Sequence, residues 1–592
     1  MKINFLKATL FSAAMASCLA SMAVKAKPGV SIFIQPDGST VAISLYGDEN
    51  FHYATTTDDC LLLFNEEGTL EYAVADINGN PVLSGISASA VRPHSISPIK
   101  GTAFAQAIAI NPQIKTLASY SSRAENEATD TDTSGKGKYV FSSTAFPVTG
   151  TPHSLVILVE YQDYKFSMDN PLEYYQDFLN GDNFKRDGAY GSCRKYYSEN
   201  SNGLFVPTYD VYGPVPLANN RRYYGGGAES NANKMVVEAV KYLDDAVDFS
   251  QYDHNGDGYV DSVYIIYANK GEADGGPSES VWPYSYELER EHVILAADGV
   301  RFNTYGCSNE MQADGDMEGI GTFTHEFGHV MGLPDLYNTL NGNDFTTPEL
   351  WSLMDRGSYN NDCRTPPNLS SFERYSLGWI TPEELKYSGN YTLTDLHDTN
   401  KAYIISSTTY PDEFFIMDYR KQEGWDEFLP NHGMLIWHID FMQNSWDRNE
   451  VNAIRAHQRV LLVRADNRNT VDSFAGDCFP GDTGQTEFST ATVPPLRTWQ
   501  YEELNIKAIK DITEFDDHVT FSTFGLTPPA SVDAPDSETL GFRLEGNVIF
   551  SSSGNFQAYD LTGRLIGTAT PASPLPLDHG IYFVGGKKIL VK

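Results

Sequence analysis

His325-Glu326-Phe327-Gly328-His329-Val330-Met331-Gly332-Leu333-Pro334-Asp335 predicts a helix that stops abruptly. Histidines four residues apart lie one above the other on one helical face, so both imidazoles can reach a single zinc ion. Glu326 stands beside the first histidine, where it can hold a water next to the metal without binding the metal itself. Gly332 permits a sharp turn, and Pro334 prevents the helix from continuing. The returning chain can present Asp335 as a third ligand. Three protein ligands leave the open fourth position of a catalytic site. A distant glutamate such as Glu373 is the alternative third ligand, which the Gly332/Pro334 turn disfavours. The bland reading is a helix with two solvated histidines. It requires the glutamate, the second histidine, the glycine and the aspartate all to fall at their spacings by chance.

Downstream lies Trp351-Ser352-Leu353-Met354-Asp355-Arg356-Gly357-Ser358-Tyr359. A methionine in a tight turn after the metal helix can place its thioether beneath the two histidines, and this assigns Met354 as a hydrophobic base. Tyr359 is then a candidate donor to a developing oxyanion. Upstream, Asp253-His254-Asn255-Gly256-Asp257-Gly258-Tyr259-Val260-Asp261 carries oxygen side chains at every second position and a glycine at the sixth. This matches the first half of a calcium loop, with Asp253, Asn255, Asp257, Tyr259 and Asp261 as ligands. Its twelfth residue is Tyr264 rather than the bidentate glutamate of an EF-hand, so the loop is a variant; an Asp/Asn-Gly turn without metal is the bland reading.

The rest of the chain divides around these motifs. Residues 1–26 carry Lys2 and Lys7, then an apolar run of small residues, and read as a secretory signal peptide cut near Ala26. A lipoprotein signal ending at Cys18 is the alternative, poorly served by Met15. Residues 27–116 alternate apolar and polar positions between turns such as Pro36-Asp37-Gly38, which predicts short strands and hairpins. That β-rich segment reads as a propeptide, with an ordinary binding domain as its alternative. Asp58, Asp59 and Cys60 are its candidate metal-blocking residues, since carboxylate and thiolate both bind zinc. Residues 117–138 are small and polar without apolar periodicity and read as a linker open to proteolysis.

Residues 139–385 mix both periodicities. Leu155–Val159 and Val263–Tyr267 read as buried strands. Tyr174–Leu179, Ser192–Ser198 and Asn231–Val247 read as helices, giving an α/β (α+β) catalytic domain. Residues 386–525 hold short strands at Ala402–Ile405, Phe414–Met417, Met434–Ile439, Val460–Val463 and His518–Ser522, suggesting a β-sandwich-like domain. Within it, His438 and Asp440 share a strand face and read as a hydrogen-bonded structural pair. Residues 526–592 read as a small all-β module.

The formal net charge of −36 excludes nucleic acid as a partner, whose phosphates need lysine and arginine clusters. After signal removal no apolar run is long enough for a transmembrane helix. Five cysteines outside the leader, Cys60, Cys193, Cys307, Cys363 and Cys478, are odd in number and widely spaced, so they make no disulfide framework.

The zinc motif together with the Met354 turn resembles the secreted immune-inhibitor-A-like metalloproteases of the metzincin type. Gly191–Tyr197, Ser201–Phe205, Ser280-Val281-Trp282-Pro283, Ser376–Ile380 and Gly433–Asp440 extend that resemblance over about residues 140–470. It implies a zinc endopeptidase made as a zymogen. In that family His325, His329 and Asp335 would hold the metal and Glu326 would be the base. Protein or peptide substrates would be cleaved and the propeptide would act as inhibitor. Asp418 departs from the family's expected glutamate, which shortens a structural carboxylate. Tyr559–Arg564, Gly580-Ile581-Tyr582 and the basic-apolar tail resemble the C-terminal sorting domain of type IX secretion substrates. That resemblance implies a bacterial protein released or surface-attached through that machinery. The expectation is thus a multidomain chain with a metzincin-like catalytic unit, catalytic Zn2+ and structural Ca2+. A cell-surface binding protein built on a catalytically inactive protease-like domain is the rival.

Overall fold

Leu155–Val159 and Val263–Tyr267 are apolar at every position, which fits strands covered on both faces. In the computed structural model they lie inside His153–Glu160 and Val263–Lys270, paired in parallel at the centre of a five-stranded sheet. The structure describes residues 24–110, 137–524 and 542–591, except 49–51, 66, 77–78, 80, 93–95, 226–230, 341–345, 503, 505–507, 546, 553, 561–563 and 585–586. The leader through residue 23 and most of the expected linker, 117–136, lie outside the described residues.

The sheet runs in the order Tyr284–Glu287, Thr304–Met311, Val263–Lys270, His153–Glu160, Thr208–Pro216. Its first strand is antiparallel to the second, and the other pairings are parallel. Side chains alternate across it. Leu155, Ile157, Val263 and Ile265 meet Met235, Val236 and Val240 of the helix Ala232–Leu243 on one face. Val156, Leu158, Tyr264 and Ile266 meet Phe178, Tyr197, Phe323 and Phe327 on the other. That second face carries the helices Pro171–Asn180, Cys193–Asn200 and Ile320–Val330.

The segment 27–87 forms a six-stranded antiparallel meander in sequence order around Phe33, Ile43, Leu62 and Leu70. Beyond these helices, a second five-stranded sheet is built on Tyr403–Ser406, Glu413–Arg420, Gly433–Asp440 and Val460–Val463. One face of this sheet (Phe414, Ile416, Leu435, Trp437) joins the core around those helices. The other (Phe415, Met417, Met434, Ile436) meets Leu393, Ile509, Val519 and Phe521 of a three-stranded sheet. Residues 24–524 cluster as one compact unit. The C-terminal unit has its own two sheets around Ile549, Ala558, Ala569 and Val584. Among the described residues no helix is long and apolar enough to cross a membrane, and the five cysteines are buried and unpaired.

A buried ionic knot ties the second sheet to the segment 368–371 at the start of a short helix. Asp418 accepts hydrogen bonds from the Ser371 N–H and hydroxyl, from Trp437 Nε1 at 3.1 Å, and from Arg420 Nε at 2.7 Å. Arg420 also reaches Asp426 and the Asn368 carbonyl. Asp418 is therefore a structural carboxylate, and all of its oxygens are used. Removing one partner of a buried charge cluster leaves the others uncompensated. Asp418→Ala should lower stability by about 3–5 kcal/mol, read as a drop in the denaturant midpoint.

Candidate active site and metal centre

The helix Ile320–Val330 is buried along its whole length. Phe323 and Phe327, one turn apart, stack with centroids 5.7 Å apart and face the sheet through Tyr209 and Tyr264. That leaves His325, Glu326 and His329 on the face turned to the cleft. The helix ends at Gly332, whose φ of +99° is costly for any other residue. The Leu333 N–H then bonds back to the Gly328 carbonyl at 3.0 Å, closing the turn. A side chain at Gly332 would also strike Thr144 and Val140. The reversal delivers Asp335, whose Oδ1 lies 3.1 Å from His325 Nε2 and 3.3 Å from His329 Nε2.

Each ring is held by its other nitrogen. His325 Nδ1 donates to the Leu353 carbonyl and His329 Nδ1 to the Leu333 carbonyl, both at 2.8 Å. A carbonyl only accepts, so a proton sits on Nδ1 and Nε2 is the atom left to face a metal. His325 Nε2, His329 Nε2, Asp335 Oδ1 and Glu326 Oε2 are buried without a hydrogen-bond partner. Orphaned buried polar atoms are costly, and here one ligand atom from each of His325, His329 and Asp335 lies within 4.8 Å of the other two. Two imidazoles and a carboxylate suit zinc. Among the described residues this is the only group of its kind.

The electrostatics follow from burial and pairing. Burial would lower the His325 pKa, but the adjacent Asp335 carboxylate holds it up at about 9, so a metal would bind there by displacing the Nε2 proton. Burial would raise Asp335, yet the two histidines outweigh it and keep the carboxyl well below its ordinary range. Burial pushes Glu326 well above the usual carboxylate value.

Met354 is fully buried. Its Sδ would lie 2.7 Å from any Cβ on Gly328, so the glycine before His329 is what lets the thioether sit against the metal helix. The cleft itself holds a piece of the same chain. The Val24 N–H donates to Glu326 Oε1 at 2.8 Å, across a sequence separation of 302. Trp282 Nε1 donates to the Val24 carbonyl at 2.9 Å, and the Tyr359 hydroxyl donates to the Lys25 carbonyl at 2.6 Å. Tyr359 therefore addresses a peptide carbonyl beside Glu326.

Several sequence expectations fall elsewhere. Glu373 caps its own helix at Ser370 and accepts from Ser352 Oγ, away from the metal group. Asp58, Asp59 and Cys60 do not block the metal. Asp58 pairs with Arg92 at 2.8 Å, Asp59 accepts from Thr102, and Cys60 Sγ accepts from Arg92 Nη1. All three are held within their own segment by neighbouring cations and backbone. His438 and Asp440 do not bond each other: His438 pairs with Glu413, and Asp440 pairs with His457 and Arg459. In the calcium-type loop, Asp253 accepts from the N–H groups of Gly256, Asp257 and Gly258. Asn255 donates to Asp257, whose carboxylate also accepts from the Tyr259 N–H. Asp261 bonds His254 Nδ1 at 2.6 Å and leaves its Oδ1 buried without a partner. These carboxylates do not converge as the zinc-type group does.

With the geometry in place, the chain can be set beside known proteins. Residues 151–383 match the family described as "Immune inhibitor A peptidase M6, catalytic domain". The pre-pro-metalloprotease PrtV of Vibrio cholerae is 30% identical over 258 residues, covering 36% of this chain and 27% of PrtV. Immune inhibitor A of Bacillus thuringiensis is 26% identical over 247 residues, covering 35% of this chain and 36% of that protein. A putative secreted metallopeptidase of Arthroderma benhamiae is 25% identical over 222 residues. The chain thus spans about a third or less of the lengths of the first relatives, and the likeness supports a metalloprotease reading of the peptidase M6-like segment.

One site residue lies beyond that segment and carried no local signal. Asn449 accepts from the Asp335 N–H at 2.7 Å and donates to Asp335 Oδ2 at 2.5 Å, which fixes the carboxylate so that Oδ1 faces the histidines. Partners of this kind commonly contribute about 10–100-fold to metal affinity. Asn449→Ala should weaken metal binding by about that factor, measured by chelator competition on the folded protein.

Proposed function

We propose that this chain is a secreted zinc-dependent endopeptidase made as a latent precursor. The observation that carries the reading is the buried His325/His329/Asp335 group with its orphaned donor atoms, set beside a glutamate that already holds peptide backbone. Zinc held there would supply Lewis acidity for a carbonyl and lower the pKa of a water. Glu326 takes a proton from the attacking water and hands it to the leaving amine. Tyr359, which donates to the Lys25 carbonyl, donates likewise to the oxygen that gains charge. Met354 packs beneath the histidines and excludes water.

Latency is supported by the same contacts. Val24 and Ala26 are buried against Trp282, Tyr359 and Ala273, and the Ala26 and Lys27 N–H groups bond Gly47 and Ala273. A substrate cannot enter while this segment stays. A leader cut after Ala23 would keep all four residues 24–27 and turn the Val24 nitrogen into a cationic amine on Glu326. A cut after Ala26 would remove three of them. N-terminal sequencing of the secreted precursor separates the two.

Two further assignments rest on sequence pattern. Ca2+ at Asp253, Asn255, Asp257, Tyr259 and Asp261 is supported by the partnerless Asp261 Oδ1 and would raise the thermal midpoint on calcium addition. Residues 526–592 serve as a type IX sorting domain that exports the protein to the bacterial surface or medium. Without them the protein would remain in the periplasm.

The deciding experiment is casein hydrolysis. The processed protein should be active, lose activity to a zinc chelator, and lose about 10²–10⁴-fold in Glu326→Ala with its metal retained. A precursor whose leader is joined directly to Pro28 should hydrolyse casein without linker cleavage. Activity in Glu326→Ala near that of the parent would sink the assignment.

A further inference from the structure

The residue after Val24 enters a pocket of its own. Lys25 is 2% exposed. Its ammonium lies 3.4 Å from Glu349 Oε1 and 3.8 Å from Asp355 Oδ1, with both carboxylates fully buried. The Tyr337 ring centroid is 5.6 Å from the same nitrogen, a distance at which an aromatic face attracts a cation. The pocket is built rather than incidental. The Glu349 N–H donates to Asp355 Oδ2 at 2.8 Å, and Thr347 Oγ1 donates to Glu349 Oε1 at 3.1 Å. Glu349 also holds a φ of +56°, a strained setting for a residue with a side chain, which persists only where the surroundings impose it.

Among the described residues the charges do not balance without an occupant. Arg356 lies 3.1 Å from Glu349 Oε2 and offsets one carboxylate. The nearby Arg464, which bonds the Thr347 carbonyl, is already paired with Asp477. Glu349 and Asp355 therefore leave one buried negative charge that Lys25 neutralises. A buried charge without a counter-ion is costly, so when the segment leaves, the pocket favours another cation of the same reach.

We infer that the Glu349/Asp355 pocket selects lysine or arginine in the substrate, within the first two residues on the C-terminal side of the scissile bond. The inference rests on the peptidase reading, in which Glu326 faces the bond to be cut. The register follows from the chain itself. Val24 stands at Glu326, and the backbone runs away from it in the N-to-C direction, so the side chain of the next residue fills the pocket. Lys27 repeats the preference more weakly, with Nζ 2.6 Å from Gln312 Oε1 and 3.4 Å from Asp362 at the surface.

The test begins with binding and does not need turnover. The fluorescent tetrapeptide Val-Lys-Ala-Lys and its analogue with norleucine second are titrated into the zinc-loaded processed protein obtained from the full-length precursor. The lysine peptide should bind at least about tenfold more tightly, and Glu349→Gln should erase the difference. Equal affinities, or no binding of either peptide, overturn the pocket. Sequencing the cleavage products of a peptide library then places the basic residue. Enrichment confined to the N-terminal side of the cut also overturns the inference. Chelator-sensitive hydrolysis with no basic preference refutes the pocket and leaves the peptidase standing. A lysine-selective pocket on a protein that cleaves nothing refutes the peptidase and leaves the pocket.

Discussion

Two hydrogen bonds to backbone carbonyls govern this site. By donating Nδ1 to Leu333 and Leu353, His329 and His325 commit their Nε2 lone pairs to one point in a buried cleft. Both acceptors belong to the chain just after the metal helix. The geometry of the turns at Gly332 and Met354 is therefore also the geometry of the ligands. Leu336 N–H to the Met354 carbonyl at 2.7 Å ties those two turns together. Loss of either turn would release a ring as well as a loop, which explains why a glycine with positive φ and a glycine too crowded for a Cβ both fall inside the motif.

The second sheet extends this control. It packs one face into the catalytic core, anchors there through Asp418 and Arg420, and supplies Asn449 to Asp335. A carboxylate of the candidate metal group, from residues 151–383, is thus aimed by a residue 114 positions later. The β-rich segment after the catalytic helices is a working part of the centre, not an appended module.

What could be read from sequence was local. The histidines, Glu326, the Gly332 turn and Asp335 lie within one stretch, where helical spacing and the turn that ends the helix convert order into position. The continuous apolar strands were legible for the same reason. Asn449 and Glu349 were not, because nothing in their own neighbourhoods distinguishes them from ordinary polar residues. Only tertiary contact gives them a role. Residues 24–26 fall at the end of the expected leader because Val24 closes a run of small apolar residues, and the apolar character of Val24 and Ala26 also suits burial in a cleft. Asp58 and Cys60 were plausible blockers by chemistry, but Arg92 lies close enough to satisfy both. The calcium-type loop kept its turn chemistry, with Asp253 and Asp257 bonded to its own backbone, while Asp261 Oδ1 stays without a partner.

The way the segment 24–27 is held has a consequence for how the proposed activity would appear. Its contacts with the cleft and the packing of the meander behind it are non-covalent, and among the described residues no disulfide joins the two parts. Once the connecting linker is severed, the segment becomes a second molecule in equilibrium with the enzyme. The active fraction is then set by mass action. At the high local concentration of a secreting cell most molecules would stay capped. The same molecules would open on dilution into the surroundings, without any further chemical event.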